Sequence, residues 1–176
     1  MQPAKQTAPI ASIGSMPTAD FCDTYPGAEV LHNRFLSFGG KSACVGPVEI
    51  IATRDDNSLV KSTLSEPGDG RVLLVDNNES INCAMLGGNL AKLAADNGWA
   101  GIVINGAVRD VDELKVAPIA VFALATCPRR SQKCGHGRRG QPVRVAGTLL
   151  RSDDIIAADS DGVVTLASWA VSRPNS

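Results

Sequence analysis

Two apolar runs separated by a helical pattern constrain the fold of this chain more than any other feature of its sequence. Residues 71–76 and 101–105 are predicted to be short buried strands, because valine, leucine and isoleucine dominate both. Residues 86–97 place their leucines and alanines on one face of a helix, and Gly98 follows where a left-handed C-terminal cap belongs. A helix between two nearby strands predicts a right-handed crossover that connects parallel neighbours. The chain is therefore expected to have an α/β core.

The C-terminal part of the chain changes from alternating strands and helices to short strands separated by turns. Four strands are predicted there, at residues 143–146, 148–150, 155–158 and 163–166. Gly147 and Asp159-Ser160-Asp161-Gly162 supply the turns of β-hairpins. Since no internal repeat is present, the sequence predicts one compact α/β domain over residues 18–168, with a parallel or mixed core sheet and C-terminal β-hairpins. Residues 1–17 are predicted to be a disordered tail, and residues 169–176 a C-terminal tail.

The charge balance and the cysteines exclude some classes of function. The 176 residues include 17 lysines and arginines and 18 aspartates and glutamates, and this net charge of −1 argues against a dedicated nucleic-acid-binding protein. No apolar run is long enough to span a membrane, and residues 1–16 lack the apolar core of a signal peptide. The five cysteines are irregularly spaced, which favours reduced thiols. We therefore expect a cytoplasmic protein with neither a membrane nor a nucleic-acid partner.

The most informative residues for function are Arg109 and Asp110, which follow the second predicted strand. This strand is predicted to stop at Asn105-Gly106, so the two charged side chains lie in a loop at its carboxyl end, where open α/β sheets bind ligands. A guanidinium can bind a carboxylate through two parallel hydrogen bonds, and an aspartate oxygen is a suitable ligand for Mg²⁺ or Mn²⁺. The pair predicts a site for a metal-bound ligand that carries a carboxylate.

The start of the predicted helix extends this site with Gly87, Gly88, Asn89 and Leu90. Two glycines at a helix start let a ligand approach free backbone N–H groups, and the helix dipole favours an anion there. The alternative is that the glycines form an ordinary turn and that Arg109-Asp110 is a surface pair capping the next helix. These residues alone leave both interpretations open.

Several segments together carry a family resemblance. They are Phe38-Gly39-Gly40, Gly87-Gly88-Asn89-Leu90-Ala91, Asn97-Gly98-Trp99, residues 101–110, Pro128-Arg129-Arg130-Ser131 and residues 159–164. They resemble the class II aldolase/RraA-like family, which unites regulators of ribonuclease E activity with metal-dependent 4-hydroxy-4-methyl-2-oxoglutarate aldolases. The resemblance implies a swivelling-type β/α/β domain that assembles as a homotrimer, or as a pair of trimers, with active sites in clefts between subunits.

The resemblance also implies roles for individual residues. Arg109 matches an arginine that contacts the pyruvoyl part of the substrate, and Asp110 matches an aspartate that holds a divalent metal, Mg²⁺ or Mn²⁺. A loop whose backbone contacts the substrate matches Gly87, Gly88, Asn89 and Leu90. The implied reactions are cleavage of 4-hydroxy-4-methyl-2-oxoglutarate to pyruvate and decarboxylation of oxaloacetate. In both, the metal would stabilise charge on the enolate oxygen, and Arg109 would add hydrogen bonds where that charge develops.

The chain departs from the aldolase pattern at one position. The resemblance to family aldolases implies an aspartate, then twenty residues, then the Arg-Asp pair. In this chain Gly88 stands at the position of that aspartate. The missing carboxylate is implied to assist a proton transfer. Its loss is expected to weaken general acid–base catalysis, and a gain of activity in Gly88→Asp would show that the missing carboxylate is the limitation.

Two other functions stay open at the level of sequence. One is a non-catalytic regulator that binds and inhibits a ribonuclease, or binds a helicase, and keeps the old site as a vestige. Its candidate surface is a basic cluster, otherwise interpreted as a solvated loop, of Arg129, Arg130, Lys133, Arg138 and Arg139. The other is a binding domain for small dicarboxylates.

Two motif matches are set aside. Residues 135–140 match the dinucleotide fingerprint GxGxxG, but no strand is predicted before them and no helix after them. Cys127, Cys134 and His136 lack a fourth partner for a zinc site. We expect neither a dinucleotide nor zinc.

Overall fold

The described part of the chain, residues 16–171 of a computed structural model, is built from short strands and four α-helices. The strands are β1 (Glu29–Val30), β2 (Leu36–Ser37), β3 (Cys44–Ala52), β4 (Val72–Asp76), β5 (Ala84–Leu86), β6 (Gly101–Val108), β7 (Ala120–Thr126), β8 (Arg138–Arg139), β9 (Val143–Val145), β10 (Thr148–Leu150), β11 (Ile155–Asp159) and β12 (Gly162–Leu166). The helices are α1 (Thr18–Thr24), α2 (Ser58–Leu64), α3 (Gly88–Asp96) and α4 (Val111–Val116), and Ser168–Ala170 forms a 3₁₀ turn.

Ten of these strands form one mixed sheet in the order β1-β12-β11-β3-β4-β6-β7-β2, with β5 paired to β6 and β8 paired to β3. The central strands β3, β4, β6 and β7 are parallel, and Leu74 lies opposite Ile50 on one side and Val103 on the other. The remaining neighbours on the main path are antiparallel. β9 and β10 form a separate hairpin, and β11 and β12 form another. The predicted fold class, an α/β domain with C-terminal β-hairpins, is confirmed.

The strand pair that dominated the sequence pattern is parallel, as predicted. β4 and β6 are parallel neighbours from Val72 opposite Gly101 to Asp76 opposite Asn105, and α3 lies between them in the chain. The helix ends at Asp96, and Gly98 follows with a left-handed φ of 77°. This crossover places the carboxyl ends of β4 and β6 at one edge of the sheet.

Both faces of the central sheet are covered, which explains why its strands are apolar at nearly every position. Side chains such as Ile51 and Ile102 belong to a core beneath helices α2, α3 and α4. Their neighbours Ile50 and Val103 belong to a second core, which includes the β9–β10 hairpin. Successive residues of a strand point to opposite faces, so each strand contributes to both cores.

Two predicted boundaries are wrong. β6 does not stop at Asn105-Gly106: it continues to Val108, with an irregularity in its pairing to β7 between Ile104 and Ala107. Leu86 does not begin a helix, because it belongs to β5, and α3 begins two residues later at Gly88. The Leu86 carbonyl accepts a hydrogen bond of 2.9 Å from the Arg109 N–H, which holds the end of β5 against the end of β6.

Gly106 permits close packing inside the strand instead of ending it. A Cβ at this position would lie 2.9 Å from Cβ of Asn77, so only glycine lets the loop after β4 approach β6. Asn105 fastens the same two segments together, since its side-chain amide donates 2.9 Å to the Asp76 carboxylate.

Most of the two predicted tails, residues 1–15 and 172–176, lies outside the described residues. Within residues 16–171, none of the helices has the length and apolar character needed to cross a membrane. The five cysteines are all described and are free thiols.

Candidate active site

Arg109 and Asp110 lie where β6 passes into α4. Asp110 adopts a left-handed backbone, with φ 57° and ψ 47°, and immediately precedes Val111, the first residue of α4. Aspartate tolerates this conformation better than most residues, because its short polar side chain can bond locally. This segment connects β6 to α4 and places the two charged residues at the carboxyl end of the parallel sheet.

The Asp110 carboxylate lies close to Arg109 and to the start of α3. Its Oδ2 accepts a hydrogen bond of 3.2 Å from the Gly88 N–H and lies 3.7 Å from Nε of Arg109. Both side chains keep more than a third of their surface exposed, 39% for Arg109 and 38% for Asp110. The pair is therefore positioned by the protein yet open to a ligand.

The two glycines before α3 serve this packing. A Cβ at Gly87 would collide with the Asp110 carboxylate and lie 3.3 Å from Cγ of Arg109. The Gly88 N–H is occupied by Asp110, so it is not free for a ligand as the sequence suggested. At these positions glycine brings the helix start against the Arg-Asp pair.

A cavity of about 250 Å³ brings most of the predicted site residues together. Its lining includes five of the six, namely Gly87, Asn89, Leu90, Arg109 and Asp110. Gly88 is the exception: it is buried and does not line the cavity. Sequence reasoning did not assign the rest of the lining to this site. These residues are Asn57, Lys61, Ala84, Leu86, Arg130, Ser131 and Lys133.

Strand β5 lies between two walls of this cavity. Ala84 pairs with Ala107 of β6 on one side and with Arg130 on the other. The first wall carries Arg109 and Asp110. The second combines residues 130–133 with the start of α2, and these are joined by a hydrogen bond of 3.2 Å from the Asn57 N–H to the Gln132 carbonyl.

Asp56 fixes the second wall from behind. The side chain of this residue, which is only 1% exposed, accepts hydrogen bonds from the N–H groups of Cys134 at 2.6 Å, His136 at 3.2 Å and Ser58 at 2.8 Å. Burial on its own would raise the pKa of Asp56, but these bonds and the Ser58 hydroxyl lower that pKa to about 2. Asp56 is a positioning residue for residues 132–136.

The basic cluster is divided by the structure. Arg130 and Lys133 line the cavity, whereas Arg129 and Arg138 are exposed outside its lining. Arg139 is engaged by carboxylates, at 2.8 Å from Glu66 and 3.2 Å from Glu49. The GxGxxG segment contains β8, which pairs antiparallel with β3, so it lacks the strand–turn–helix context of a dinucleotide site.

Comparison with known proteins identifies the family of this chain. Residues 18–165 match the family model of RraA-like proteins, described as Aldolase/RraA. The chain belongs to the RraA-like family. A protein of Thermus thermophilus named 4-hydroxy-4-methyl-2-oxoglutarate aldolase is 44% identical over 149 residues, which cover 85% of this chain and 91% of that protein. A putative aldolase of the same name from Burkholderia mallei is 47% identical over 153 residues, covering 84% of this chain and 93% of the relative.

A solved structure extends the comparison to a regulator. The RNA-processing inhibitor RraA from Thermus thermophilus superposes on this RraA-like chain with a TM-score of 0.84 and 43% identity, covering 86% of this chain and 93% of that one. Relatives of this RraA-like chain are therefore named both as aldolases and as an inhibitor of RNA processing.

Glu113 is a candidate functional residue that sequence reasoning missed. It stands three residues after Asp110, a spacing that places two residues of a helix start on the same face. A Cβ at Gly88 would collide with its carboxylate and lie 2.6 Å from its Cβ. In this RraA-like chain, Glu113 therefore occupies the space of a side chain at position 88. The signal was present in the sequence as a second carboxylate one helical turn beyond Asp110.

The residues present fit a hard divalent cation with open coordination positions. Mg²⁺ is commonly held by one or two carboxylates and keeps several waters or substrate oxygens as further ligands. Asp110 supplies an accessible carboxylate, and Glu113 adds a second one nearby. Within residues 16–171, no three His, Cys, Asp or Glu side chains are arranged to hold a metal ion by themselves. The donor set suits an ion that a substrate helps to bind.

Proposed function

We propose that this chain is a divalent-metal-dependent lyase that releases pyruvate from keto acids. Its reactions are aldol cleavage of 4-hydroxy-4-methyl-2-oxoglutarate and decarboxylation of oxaloacetate. The main support is the cavity that brings Arg109 and Asp110 together with the start of α3. The chain is also 44% identical to a protein named as that aldolase. We place this activity in the cytoplasm.

Arg109 binds the carboxylate next to the keto group. Its side chain is over a third exposed, and its contact with Asp110 runs through Nε at 3.7 Å, which is longer than a hydrogen bond. The guanidinium can therefore make a two-point contact with a carboxylate. Gly87, Asn89 and Leu90 line the same end of the cavity and define the space for the keto acid. These residues orient the bond that breaks.

Asp110, with Glu113 nearby, would hold Mg²⁺ or Mn²⁺. A divalent cation bound there supplies a Lewis acid that stabilises negative charge on the enolate oxygen. The Gly88 N–H keeps the Asp110 carboxylate in one orientation. This hydrogen bond makes Gly88 a positioning residue although it does not line the cavity.

Aldol cleavage needs a group that takes a proton from the C4 hydroxyl of the substrate. The C3–C4 bond then breaks, its electron pair forms the pyruvate enolate, and a proton returns to C3. We assign the proton transfer to Glu113, acting through water, because its carboxylate occupies the place of the aspartate implied by the family pattern. The loss of that aspartate at position 88 is thereby compensated within the same chain.

The test is the release of pyruvate by the purified protein, followed by coupled oxidation of NADH. We expect turnover of 4-hydroxy-4-methyl-2-oxoglutarate and oxaloacetate with Mg²⁺ or Mn²⁺, and its loss with EDTA, in Arg109→Ala and in Asp110→Ala. Arg129→Gln, which removes one positive charge outside the cavity, is the matched control and keeps full activity. Absence of pyruvate above background with either metal would show that the assignment is wrong.

We also propose that the chain assembles as a homotrimer, or as a pair of trimers, as the family resemblance implies. Light scattering on the eluted protein is expected to give three or six times the 18.3 kDa of the chain. A monomer at micromolar concentration contradicts this part of the proposal.

The similarity to an RNA-processing inhibitor supports a second candidate, binding of a ribonuclease. Arg129 and Arg138 are its best basic contacts, because they are exposed and lie outside the cavity lining. Arg139 is a poor choice, since Glu49 and Glu66 already engage it. The candidate predicts capture of a purified ribonuclease at physiological salt and loss of capture in Arg129→Gln/Arg138→Gln.

A further inference from the structure

The cavity carries more positive charge than a single carboxylate requires. Lys61, Arg109, Arg130 and Lys133 line it, and Asp110 is the one acidic residue in the lining formed by the described residues. Arg109 has Asp110 beside it. For the other three cations, no carboxylate of residues 16–171 lies within the 4.0 Å of an ion pair. Cations gathered without a counter-charge in a concave site attract an anionic ligand.

These three cations share one wall, separate from Arg109. Arg130 is bonded to the far side of β5, since Ala84 lies between it and β6. Lys61 projects from α2 one turn after Asn57, whose N–H is bonded to Gln132. The three cations therefore line the cavity from segments other than the one that carries Arg109 and Asp110. A cavity of about 250 Å³ is small enough that one metabolite contacts both walls.

Ser131, in the same wall, has an unmet hydrogen-bonding requirement. It is only 6% exposed, and its Oγ has no hydrogen-bond partner within the described residues. A buried hydroxyl without a partner is unfavourable, and a ligand oxygen would satisfy it. Because Oγ itself exposes less than 1 Å², this contact requires rotation about the Cα–Cβ bond of Ser131. The buried, unpaired hydroxyl of Ser131 points to a ligand, because the hydroxyl of a residue in a solvated surface loop would be hydrogen-bonded to water.

We propose that Lys61, Arg130, Lys133 and Ser131 form a second anion subsite for a carboxylate at the far end of the keto acid. The inference rests on the proposed function, in which Arg109 binds the near carboxylate. It makes these four residues specificity determinants that select keto acids with a second carboxylate over monocarboxylic ones. The second carboxylate takes charge-assisted hydrogen bonds from the wall, while the near one remains on Arg109.

A matched pair of ligands isolates the second carboxylate. 2-Oxoglutarate and 2-oxopentanoate have the same number of carbons and the same keto acid end, and differ in a terminal carboxylate or methyl group. In the presence of Mg²⁺, calorimetry on the full-length protein is expected to show 2-oxoglutarate binding about tenfold or more tightly. Equal affinities would overturn the proposal.

The variant Arg130→Gln/Lys133→Gln tests the wall directly. We expect its affinity for 2-oxoglutarate to fall about tenfold, while that for 2-oxopentanoate stays within about twofold. Arg129→Gln/Arg138→Gln removes the same charge outside the cavity lining and is expected to leave both affinities within about twofold. Equal losses in the two variants, or equal losses for the two ligands, would overturn the subsite.

Competition with inorganic phosphate tests whether the wall binds the second carboxylate of the ligand or an independent anion. The proposal predicts that phosphate competes with 2-oxoglutarate and does not affect 2-oxopentanoate. Stronger binding of 2-oxopentanoate in phosphate would mean that the wall holds a separate anion, and would overturn the proposal.

These experiments also distinguish failure of the subsite from failure of the lyase assignment. Ligand discrimination without pyruvate release refutes the lyase alone, whereas pyruvate release without discrimination refutes the subsite alone.

Discussion

The Glu113 side chain lies over the Cα of Gly88, in the space where any other residue would place its Cβ. The two positions are therefore coupled: a glycine at the start of α3 permits the carboxylate from α4, and that carboxylate excludes a side chain at position 88. The family resemblance implies an aspartate at position 88, where this chain has glycine. The carboxylate that fills this space here comes from α4.

Substitution of Gly88 is expected to reduce both stability and activity. Gly88→Asp places new atoms against Glu113, including its Cβ at 2.6 Å, which cannot move without its helix. Overpacking of this kind typically costs about 1–3 kcal/mol in the free energy of unfolding. Gly88→Asp is therefore expected to lose stability and activity instead of gaining activity, as measured by denaturant unfolding and by pyruvate release. Gly88→Asp/Glu113→Gly, which removes the obstructing side chain, is expected to recover activity relative to Gly88→Asp.

Gly27→Ala is the control for this series. A Cβ there would lie 3.7 Å from the nearest side-chain atom, in Leu166, which is ordinary contact, so a change within about 0.5 kcal/mol is expected. Gly88→Ala, with the same added methyl group, is expected to cost more. If both variants unfold at the same denaturant concentration as the unsubstituted protein, the packing of Glu113 over Gly88 is not as described.

Asp110→Asn is expected to separate the charge of this residue from its structural role. Asparagine tolerates the left-handed backbone at φ 57° and keeps an oxygen for the Gly88 N–H. We expect the free energy of unfolding to change by less than about 1 kcal/mol, while kcat/KM falls about a hundredfold or more because the metal ligand is lost. Denaturant unfolding and metal-dependent pyruvate release are the measurements. Asp110→Asn with full activity and unchanged metal dependence would contradict the assigned role.

The central parallel strands could be predicted because strands that are buried on both faces are apolar at nearly every position. β4 and β6 are continuous apolar runs, and a helical period separates them. β5 could not be predicted, because it has only three residues and lies just before a helix. Its apolar residues cannot be distinguished by sequence from the first turn of that helix. β1, β2 and β8 have two residues each, too few for any period. Their positions depend on the neighbours with which they pair.

The residues of the candidate site likewise fall into those that could be predicted from the sequence and those that could not. Arg109 and Asp110 could be found because they are adjacent in sequence and follow a strand. Lys61 and Ser131 could not be linked to them, because the pairing of β5 with Arg130 and the hydrogen bond from Asn57 to Gln132 create their proximity. Local patterns carry no information about such contacts between distant segments.

The reactivity of the cysteines is expected to follow their burial. Burial, with a smaller contribution from Asp159, raises the pKa of the Cys44 thiol to about 12, so about one molecule in ten thousand carries the thiolate at pH 8. Cys134 is exposed. Iodoacetamide followed by mass spectrometry is expected to label Cys134 and to leave Cys44 unmodified until the protein unfolds. Comparable labelling rates at the two positions in the folded protein would contradict the packing of Cys44.

Asp56 is expected to give the protein a defined sensitivity to acid. Its folded pKa of about 2 lies below the ordinary value of 3.8, so folding favours the ionised form. The corresponding stabilisation, about 2 kcal/mol, is fully present above about pH 4 and is lost as the pH falls toward 2. Asp56→Asn removes this contribution, since an amide nitrogen cannot accept the hydrogen bonds from residues 134 and 136.

Denaturant unfolding from pH 7 to pH 2 measures this contribution. The difference in unfolding free energy between the unsubstituted protein and Asp56→Asn is expected to be constant above about pH 4 and to shrink below it. Because Asp56 fixes residues 132–136 behind the cavity wall, Asp56→Asn is also expected to weaken 2-oxoglutarate binding at pH 7 more than 2-oxopentanoate binding. A stability difference that does not vary with pH would show that the Asp56 carboxylate is not ionised in these hydrogen bonds.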